Sequence, residues 1–212
     1  ALPHFEWGVN WCFAQRFNQY VLLHAGVMAR RGNAAVLAAI PGSGKSTLSA
    51  ALMLRGWRLL SDEFGVLNPE TGQFLPMLKP MSIKNAAIDV IREFSAAATF
   101  GPTFRNTRKG DVAHLAPDLE SVASRHTAAQ PRIVIFPRYT EGVPTRVAQL
   151  TPEQGFARLA FNSFNYAVLG PIAFNALADL LERCPAFELE YGDLADAVEC
   201  IGELFGGETG ES

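Results

Sequence analysis

The stretch from Asn33 to Arg55 constrains the fold more than any other part of the chain. It begins with a short apolar run, Asn33 to Ile40, which predicts a buried strand. A glycine-rich turn follows, and then a helix from Lys45 to Arg55 with apolar residues at helical spacing, which Gly56 ends. A strand, a glycine turn and a helix in this order bring backbone N–H groups and a helix N-terminus to one point. The sequence therefore predicts an α/β fold built around this turn.

The turn reads Ala39-Ile-Pro-Gly-Ser-Gly-Lys-Ser-Thr47 and matches the phosphate-binding (Walker A) pattern G-x-x-x-x-G-K-[ST], with Ala39 in place of the first glycine. Lys45 would reach the β and γ phosphates of a nucleotide, and the Ser46 hydroxyl would ligate Mg²⁺. A chance glycine-rich turn is the alternative, which the strand and helix on either side disfavour. The residues expected to hold the phosphates are Pro41, Gly42, Ser43, Gly44, Lys45, Ser46 and Thr47.

Composition limits the remaining function classes. The chain has 212 residues, 49% of them hydrophobic, which is enough for one domain over residues 1–205 followed by a flexible polar tail over 206–212. The net charge of −3 gives no general attraction to nucleic acid or to an anionic membrane. No run is long enough to span a bilayer, and the first residues do not resemble a signal peptide. Three cysteines without metal-like spacing indicate reduced thiols, so we expect a cytoplasmic protein.

The residues before the glycine turn predict a second strand. Residues Tyr20 to Arg30 are apolar and β-branched, and the turn Arg31-Gly-Asn33 leads back into the first strand. The two strands are therefore expected to be antiparallel neighbours. His24 lies in the partner strand, either as a hydrogen-bonded core residue or as a group of the active site.

A pair of carboxylates follows the next predicted strand, Trp57 to Ser61. Asp62 and Glu63 come directly after it, at the edge where α/β sheets place their ligands. One of these carboxylates is a candidate ligand of Mg²⁺, and the other is a candidate general base toward an attacking hydroxyl. A solvated acidic turn is the alternative.

The rest of the chain carries fewer signals. Residues 100–130 predict a long irregular stretch whose basic residues either lie in solvent or close on an anionic substrate. Arg138, at the end of a buried strand over 132–137, is a candidate phosphate contact. No secondary structure is assigned to residues 5–17. The remaining expected elements are a hairpin over 64–75, helices over 86–97, 151–162, 171–183 and 193–205, and a strand over 186–191.

Several of these segments resemble one family. Leu23-His-Ala-Gly-Val, Pro41-Gly-Ser-Gly-Lys-Ser46 and Arg55-Gly-Trp-Arg-Leu-Leu-Ser-Asp-Glu63 resemble the catalytic domain of HPr kinase/phosphorylase, and more closely the HPr-kinase-related kinases. The resemblance is strongest over residues 21–66. Weaker likenesses occur at Lys79-Pro80, Ser82 to Asn85, Phe136 to Tyr139 and Phe187 to Tyr191.

The resemblance implies a P-loop kinase core that is also similar to phosphoenolpyruvate carboxykinase. It implies that Lys45 contacts nucleotide phosphates, that Ser46 helps to bind Mg²⁺, that Asp62 acts as base toward a protein serine, and that His24 lies near the active site. Glu63 stands where the family has a second aspartate, and it can still bind metal with a longer reach. The glycine-rich segment that carries the HPr-docking region has no counterpart here, so the resemblance does not extend to HPr itself or to phosphorolysis.

These observations together predict an ATP- and Mg²⁺-dependent kinase that acts on a hydroxyl, with a serine of a protein or peptide as the expected acceptor. The catalytic candidates are Asp62, Lys45 and His24, and the metal candidates are Ser46, Glu63 and Asp62. Two alternatives stay open: a small-molecule kinase, and a nucleotide-binding regulator without catalysis. Intact Lys45, Ser46 and Asp62 argue against the regulator. We expect neither nucleic acid nor a membrane as a partner, and a homo-oligomer is compatible with the family.

Overall fold

The computed structural model describes residues 2–207 and has a mixed α/β fold. A mixed eight-stranded sheet is flanked by helices, and a three-stranded sheet lies beside it. In chain order the elements are α1 (Leu2–Arg16), β1 (Val21–Arg30), β2 (Asn33–Ala38), α2 (Lys45–Leu54), β3 (Arg58–Ser61), β4 (Phe64–Leu67), β5 (Phe74–Leu75), β6 (Met81–Lys84), α3 (Ala87–Phe94), β7 (Phe104–Thr107), β8 (Gly110–Leu115), α4 (Leu119–Ala123), β9 (Gln130–Tyr139), β10 (Arg146–Leu150), α5 (Pro152–Phe161), α6 (Tyr166–Leu169), α7 (Pro171–Arg183), β11 (Ala186–Tyr191) and α8 (Leu194–Gly206).

The large sheet combines a parallel half with an antiparallel half. Its strand order is β10-β11-β9-β2-β1-β4-β5, and β3 also pairs with β1. The pairs β2 with β9 and β9 with β11 are parallel, while β1 is antiparallel to β2, β3 and β4. Strands β2, β9, β11 and β3 therefore run in the same direction and end at the same edge of the sheet. The loop after β2 leaves from that edge.

The predicted antiparallel partner of β2 is confirmed. Arg30 pairs with Asn33, and the two residues between them have left-handed backbone conformations, with φ of 52° at Arg31 and 80° at Gly32. Two successive residues with positive φ make a tight hairpin turn whose twist matches that of the strands.

Both faces of the central strands are buried, which explains the unbroken apolar run in β2. Leu37 packs in the cluster beneath α2 and α8, whereas Val36 packs in the cluster beneath α5 and α7. Neither residue is accessible to solvent. Truncation of Leu37 to alanine is expected to cost about 2–5 kcal/mol of stability.

The acidic pair lies where two strands meet. Both β3 and β4 pair with β1, Ser61 opposite Val27 and Phe64 opposite His24. Asp62 and Glu63 fill the interruption between β3 and β4, close to the loop after β2. The predicted hairpin that follows is confirmed as β4 and β5.

The expectation of an irregular stretch over residues 100–130 is wrong. Strands β7 and β8 form a hairpin that pairs with β6, and α4 follows with Asp118 as its cap. The strands are short, and the apolar side chains of Ala113 and Leu115 are buried against distant parts of the chain. A window of neighbouring residues therefore shows no clear period.

Three further segments complete the comparison with expectation. Of the unassigned residues 5–17, all but Phe17 belong to α1. The helix expected over 86–97 ends at Phe94 because Ser95 is extended. The predicted helices α5, α7 and α8 and strand β11 are confirmed. Of the predicted tail, Gly206 ends α8, and residues 208–212 lie outside the described part of the chain.

Within residues 2–207, the structure contains no helix with the length and apolar character needed to cross a membrane.

Candidate functional site

The loop over residues 39–44, called the glycine loop below, joins β2 to α2. Gly42 and Gly44 have φ of 89° and 87°, a conformation that side chains with a Cβ rarely adopt. Helix α2 begins at Lys45 without a side-chain cap, whereas α4, α5 and α8 each have an Asp or Thr cap. The first N–H groups of α2 therefore have no side-chain acceptor, and an anion at this end of the helix would be stabilised by them.

The ends of β9 and β11 hold the glycine loop in place. Tyr139 N donates to Ser43 O at 3.0 Å, and Tyr191 Oη donates to Gly44 O at 3.3 Å. A Cβ on Gly44 would lie 2.6 Å from Tyr191 Oη and 3.0 Å from Tyr139 Cβ. Glycine at position 44 is thus required by both the backbone conformation and the packing.

Lys45 and Asp62 are buried together beside the glycine loop. Their relative exposures are 6% and 5%. Lys45 Nζ donates to the backbone carbonyl of Asp62 and lies 3.9 Å from Asp62 Oδ1. Burial lowers the pKa of Lys45, while the charges of Asp62 and Glu63 act in the opposite direction. The structure thus brings together the cation and the first carboxylate that the sequence singled out.

The carboxylate of Asp62 has free hydrogen-bonding capacity. Among the residues that the structure describes, no group hydrogen-bonds to the buried Asp62 Oδ1. A buried polar atom without a partner costs free energy, so such atoms call for an explanation. A hydroxyl donor or a metal ion beside Oδ1 would supply the missing partner.

Glu63 is bound to side chains of other elements. Its Oε2 accepts from Lys79 Nζ at 2.9 Å and from Asn10 Nδ2 at 2.6 Å. Burial raises the pKa of Glu63, but the charge and hydrogen bond of Lys79 outweigh it, so the pKa lies below its usual value. Glu6 of α1 joins this network through Lys79 at 2.6 Å and His114 Nε2 at 3.0 Å. Glu63 is therefore a paired carboxylate in this state.

His24 is at the base of the same site. Its backbone N donates to Asn162 O at 2.7 Å, and its ring packs edge-on against Phe164 with 5.7 Å between centroids. Burial, followed by the charge of Lys45, lowers the pKa of His24 to about 4. The imidazole is thus neutral at physiological pH.

One cavity of 820 Å³ joins most of the predicted site residues. Its lining includes the glycine loop with the start of α2, called the near wall below, the end of β6 with Lys109, called the far wall below, and residues 161–164. The predicted residues that line it are His24, Pro41, Gly42, Ser43, Gly44, Lys45, Ser46, Thr47 and Glu63. Asp62 is buried behind Lys45, in contact with it.

Arg138 is not brought to this cavity. It lines a second cavity of 700 Å³ on the other side of the glycine loop, next to Tyr139 and Arg158. Its guanidinium is paired with Glu190 at 3.0 Å, and 61% of the side chain is exposed. Arg138 as a phosphate contact therefore stays a prediction, and contact with a phosphate in the first cavity would require it to leave Glu190.

The sequence interpretation left the lysines of the site open and did not include Asn10 and Glu6: Lys79 and Lys84 were expected either to face the phosphates or to lie in solvent, and Lys109 either to close on an anionic substrate or to lie in solvent. Lys84 and Lys109 line the cavity, Asn10 and Lys79 hydrogen-bond to Glu63, and Glu6 binds Lys79. The signal for Lys109 was the run Thr107-Arg-Lys-Gly110, a two-residue turn followed by a glycine. Nothing local in α1 indicated its contacts with the site.

The oxygen donors at the site suit a hard cation. The Ser46 hydroxyl and the carboxylates of Asp62 and Glu63 are of the type that Mg²⁺ prefers, and Asp62 Oδ1 has no other partner among the described residues. Residues 2–207 contain no cluster of three or more His, Cys, Asp or Glu side chains arranged for a metal. Phosphate-bound Mg²⁺ does not require such a cluster, because phosphates and waters supply most of its ligands.

Comparisons with known proteins gave a structural likeness but no matching family model. No protein-family model matches the sequence, and no curated protein matches it. Among solved structures, the chain is similar to the HPr(Ser) kinase/phosphatase from Coxiella burnetii, with a TM-score of 0.37 and 14% identity over 86% of this chain and 96% of that one. A TM-score of this size does not establish a shared fold, so the chemistry has to come from the residues themselves.

Proposed function

We propose that this protein is an ATP- and Mg²⁺-dependent kinase with a P-loop core, which transfers the γ-phosphoryl group to a hydroxyl, with a serine of a protein or peptide as the acceptor. One observation carries the proposal: an uncapped helix N-terminus and Lys45 line one cavity, and an oxygen of Asp62 that has no partner among the described residues lies directly behind Lys45. These are the groups that phosphoryl transfer requires, since its catalysis is mostly positioning and charge neutralisation.

The glycine loop and Lys45 hold the donor. The N–H groups of the first turn of α2 bind phosphate oxygens, and Lys45 leaves the carbonyl of Asp62 to contact the β and γ phosphates. The low exposure of Lys45 increases the strength of this interaction, because charges attract more strongly where water is excluded.

Asp62 accepts the proton of the acceptor hydroxyl. Its Oδ1 has no hydrogen-bond partner among the described residues and can accept from an incoming hydroxyl. Since this carboxylate is buried, the hydroxyl must reach it through the cavity.

Ser46, Asp62 and Glu63 would hold the metal. When bound, Mg²⁺ supplies charge neutralisation between the β and γ phosphates. Glu63 joins only after it releases Asn10 or Lys79, which now occupy its Oε2.

The sequence resemblance to HPr-kinase-related kinases supports the same assignment, because the motif residues of that family fall on Lys45, Ser46 and Asp62. HPr itself is not proposed as the acceptor, since the docking segment has no counterpart in this chain.

A small-molecule kinase is the second candidate, and one observation favours it. Residues 104–115 form an ordered hairpin, and Lys109 in its turn lines the same cavity as the glycine loop. A cavity with two walls can enclose a small acceptor.

The test is incubation of the purified chain with γ-labelled ATP, Mg²⁺ and an extract of the source organism. Label in a discrete protein or peptide, absent with Lys45→Ala, supports the proposed acceptor class, and label only in small products supports the second candidate. Bound ATP without any transfer would contradict the kinase and favour a nucleotide-binding regulator.

A further inference from the structure

The far wall of the cavity is fixed by a clamp between two strands. Asn85, directly after β6, accepts from Asp111 N at 3.0 Å through its side chain and donates its backbone N to Asp111 O at 2.9 Å. Gly110 lies so close to Asn85 that a Cβ there would overlap the Asn85 side chain. Lys84 precedes the clamp on β6, and Lys109 precedes it on the hairpin.

The hairpin turn that carries Lys109 is itself ordered by hydrogen bonds. Thr107 Oγ1 donates to Gly110 O at 2.7 Å and accepts from Lys109 N at 3.1 Å. The backbone position of Lys109 is thus set by the fold, and its side chain lines the cavity together with Lys84.

The charges of these two lysines are only partly compensated among the described residues, since Glu63 and Glu6 act on Lys109 without forming an ion pair with it. Lys79, their neighbour, is bound by Glu6 and Glu63 at 2.6 and 2.9 Å. Among residues 2–207, neither Lys84 nor Lys109 forms an ion pair; Lys109 only packs over the Trp7 ring, 4.7 Å from its centroid. Burial, followed by the charge of Lys84, lowers the pKa of Lys109, whereas the pKa of Lys79 is raised because its two carboxylates outweigh its burial. An anion between Lys84 and Lys109 would relieve this repulsion.

The phosphates of the nucleotide donor have binding groups other than these two lysines. The glycine loop, the α2 N-terminus and Lys45 already provide for the polyphosphate on the near wall. In-line transfer requires the acceptor to approach the γ-phosphoryl group from the side opposite the leaving oxygen. The far wall and residues 161–164 are the parts of the cavity that remain for the acceptor, and of these only the far wall carries cationic side chains.

We propose that Lys84 and Lys109 form a second anion subsite, which holds a carboxylate or phosphate group of the acceptor and so directs its hydroxyl toward Asp62. This inference rests on the proposed kinase function and adds to it the chemical class of the acceptor: a hydroxyl with an anionic group close by. Such a group comes either from an acidic serine peptide or from a small phosphorylated alcohol.

The experiment uses the full chain saturated with Mg²⁺ and the non-hydrolysable ATP analogue AMP-PNP, and measures binding of a second molecule by calorimetry. One probe is glycerol 3-phosphate, with glycerol as its neutral control. The other is acetyl-Asp-Asp-Ser-Asp-Asp-amide, with the corresponding Asn peptide as control. We expect one anionic probe to bind, its neutral control not to bind, and the identity of that probe to distinguish the two sources.

The variants assign that binding to the subsite. Replacement of both lysines, Lys84→Ala with Lys109→Ala, should lower the affinity for the anionic probe at least tenfold. The affinity for AMP-PNP should change less than threefold. Arg108→Ala is the matched control, because Arg108 precedes Lys109 in the same turn, is exposed and does not line the cavity. Thermal unfolding of each variant checks that the hairpin stays folded, and Lys109→Arg, which keeps the charge, should retain most of the affinity.

Each contrary outcome has a distinct meaning. If AMP-PNP binds but neither anionic probe does, or if the double variant binds the probe as tightly as the unmutated chain, the subsite is overturned and the kinase proposal stands. If the double variant loses AMP-PNP affinity tenfold, the lysines serve the nucleotide and the subsite is again overturned. If AMP-PNP does not bind to the unmutated chain, the proposed function fails and the subsite fails with it.

Discussion

The two walls of the cavity differ in how they are built. The glycine loop and the start of α2 come from one continuous stretch and present backbone N–H groups held by two glycines at positive φ. The far wall brings Lys84 and Lys109 together from separate strands and presents long side chains. A wall of backbone groups is rigid and depends on individual glycines, whereas a wall of lysines is adaptable and its strength depends on charge.

This difference predicts that single substitutions act more strongly on the near wall. Lys45→Ala should lower phosphoryl transfer about 1,000-fold, because it removes the cation that neutralises the transferred group. Steady-state transfer from γ-labelled ATP measures the loss, with Arg108→Ala as control. If Lys84→Ala alone lowers phosphoryl transfer as much as Lys45→Ala does, the predicted difference between the two walls is wrong.

The adjacent carboxylates Asp62 and Glu63 should also differ in how much they contribute to phosphoryl transfer. Asp62→Asn should lower transfer about 100- to 10,000-fold, since it removes the proposed base, and should leave AMP-PNP affinity within about threefold. Glu63→Gln should have a smaller effect and mainly raise the Mg²⁺ concentration needed, because Glu63 is paired with Lys79 and Asn10. Full turnover in Asp62→Asn would remove Asp62 from the role of base.

The rigidity of the near wall can be tested with its two glycines. Gly44→Ala adds a Cβ that meets Tyr191 and Tyr139 and also requires a left-handed alanine, so it should cost about 2–4 kcal/mol of stability. Gly42→Ala has the same φ requirement but no atom within 4 Å of its Cβ, so about 1–2 kcal/mol is expected. Urea unfolding measures both, and equal losses would mean that packing by the tyrosines adds nothing.

His24 lines the same cavity, and its pKa depends on a lysine of each wall. Its pKa in the folded chain is about 4, below the ordinary 6.5, through burial first, then Lys45, with a smaller contribution from Lys84. The unfolded chain therefore binds more protons between these values, and the free energy of unfolding should fall by roughly 2–3 kcal/mol as the pH drops from 6.5 to 4. Histidine NMR titration should show a larger rise in this pKa with Lys45→Met than with Lys84→Met. A larger rise with Lys84→Met than with Lys45→Met would contradict the order of these contributions. A His24→Gln variant whose stability depends on pH as that of the unmutated chain does would contradict the assignment to His24.

The near wall was predictable because every part of it is local. The strand, the glycine turn and the start of α2 lie within one stretch, and the β1–β2 hairpin adjoins it. Each step follows from the periodicity and turn chemistry of neighbouring residues.

The far wall and α1 were not predictable, because their partners are distant in sequence. Helix α1 turns Asn10 toward Glu63 while Phe5 and Trp11 are exposed, at 70% and 67%, the reverse of an ordinary amphipathic helix. Likewise, the position of Lys109 depends on the Asn85 clamp, and Arg138 was placed correctly on its strand but pairs with Glu190. Hydrogen bonds and ion pairs between residues distant in sequence leave no periodic signal in the sequence.

The most direct test of the account is a titration of AMP-PNP into the unmutated chain, Lys45→Met and Asp62→Asn, with and without Mg²⁺. The account predicts Mg²⁺-dependent binding to the unmutated chain, at least tenfold weaker binding to Lys45→Met, and nearly unchanged binding to Asp62→Asn. Equal affinities of the unmutated chain and Lys45→Met would contradict the central claim that the glycine loop and Lys45 hold the phosphates of a nucleotide.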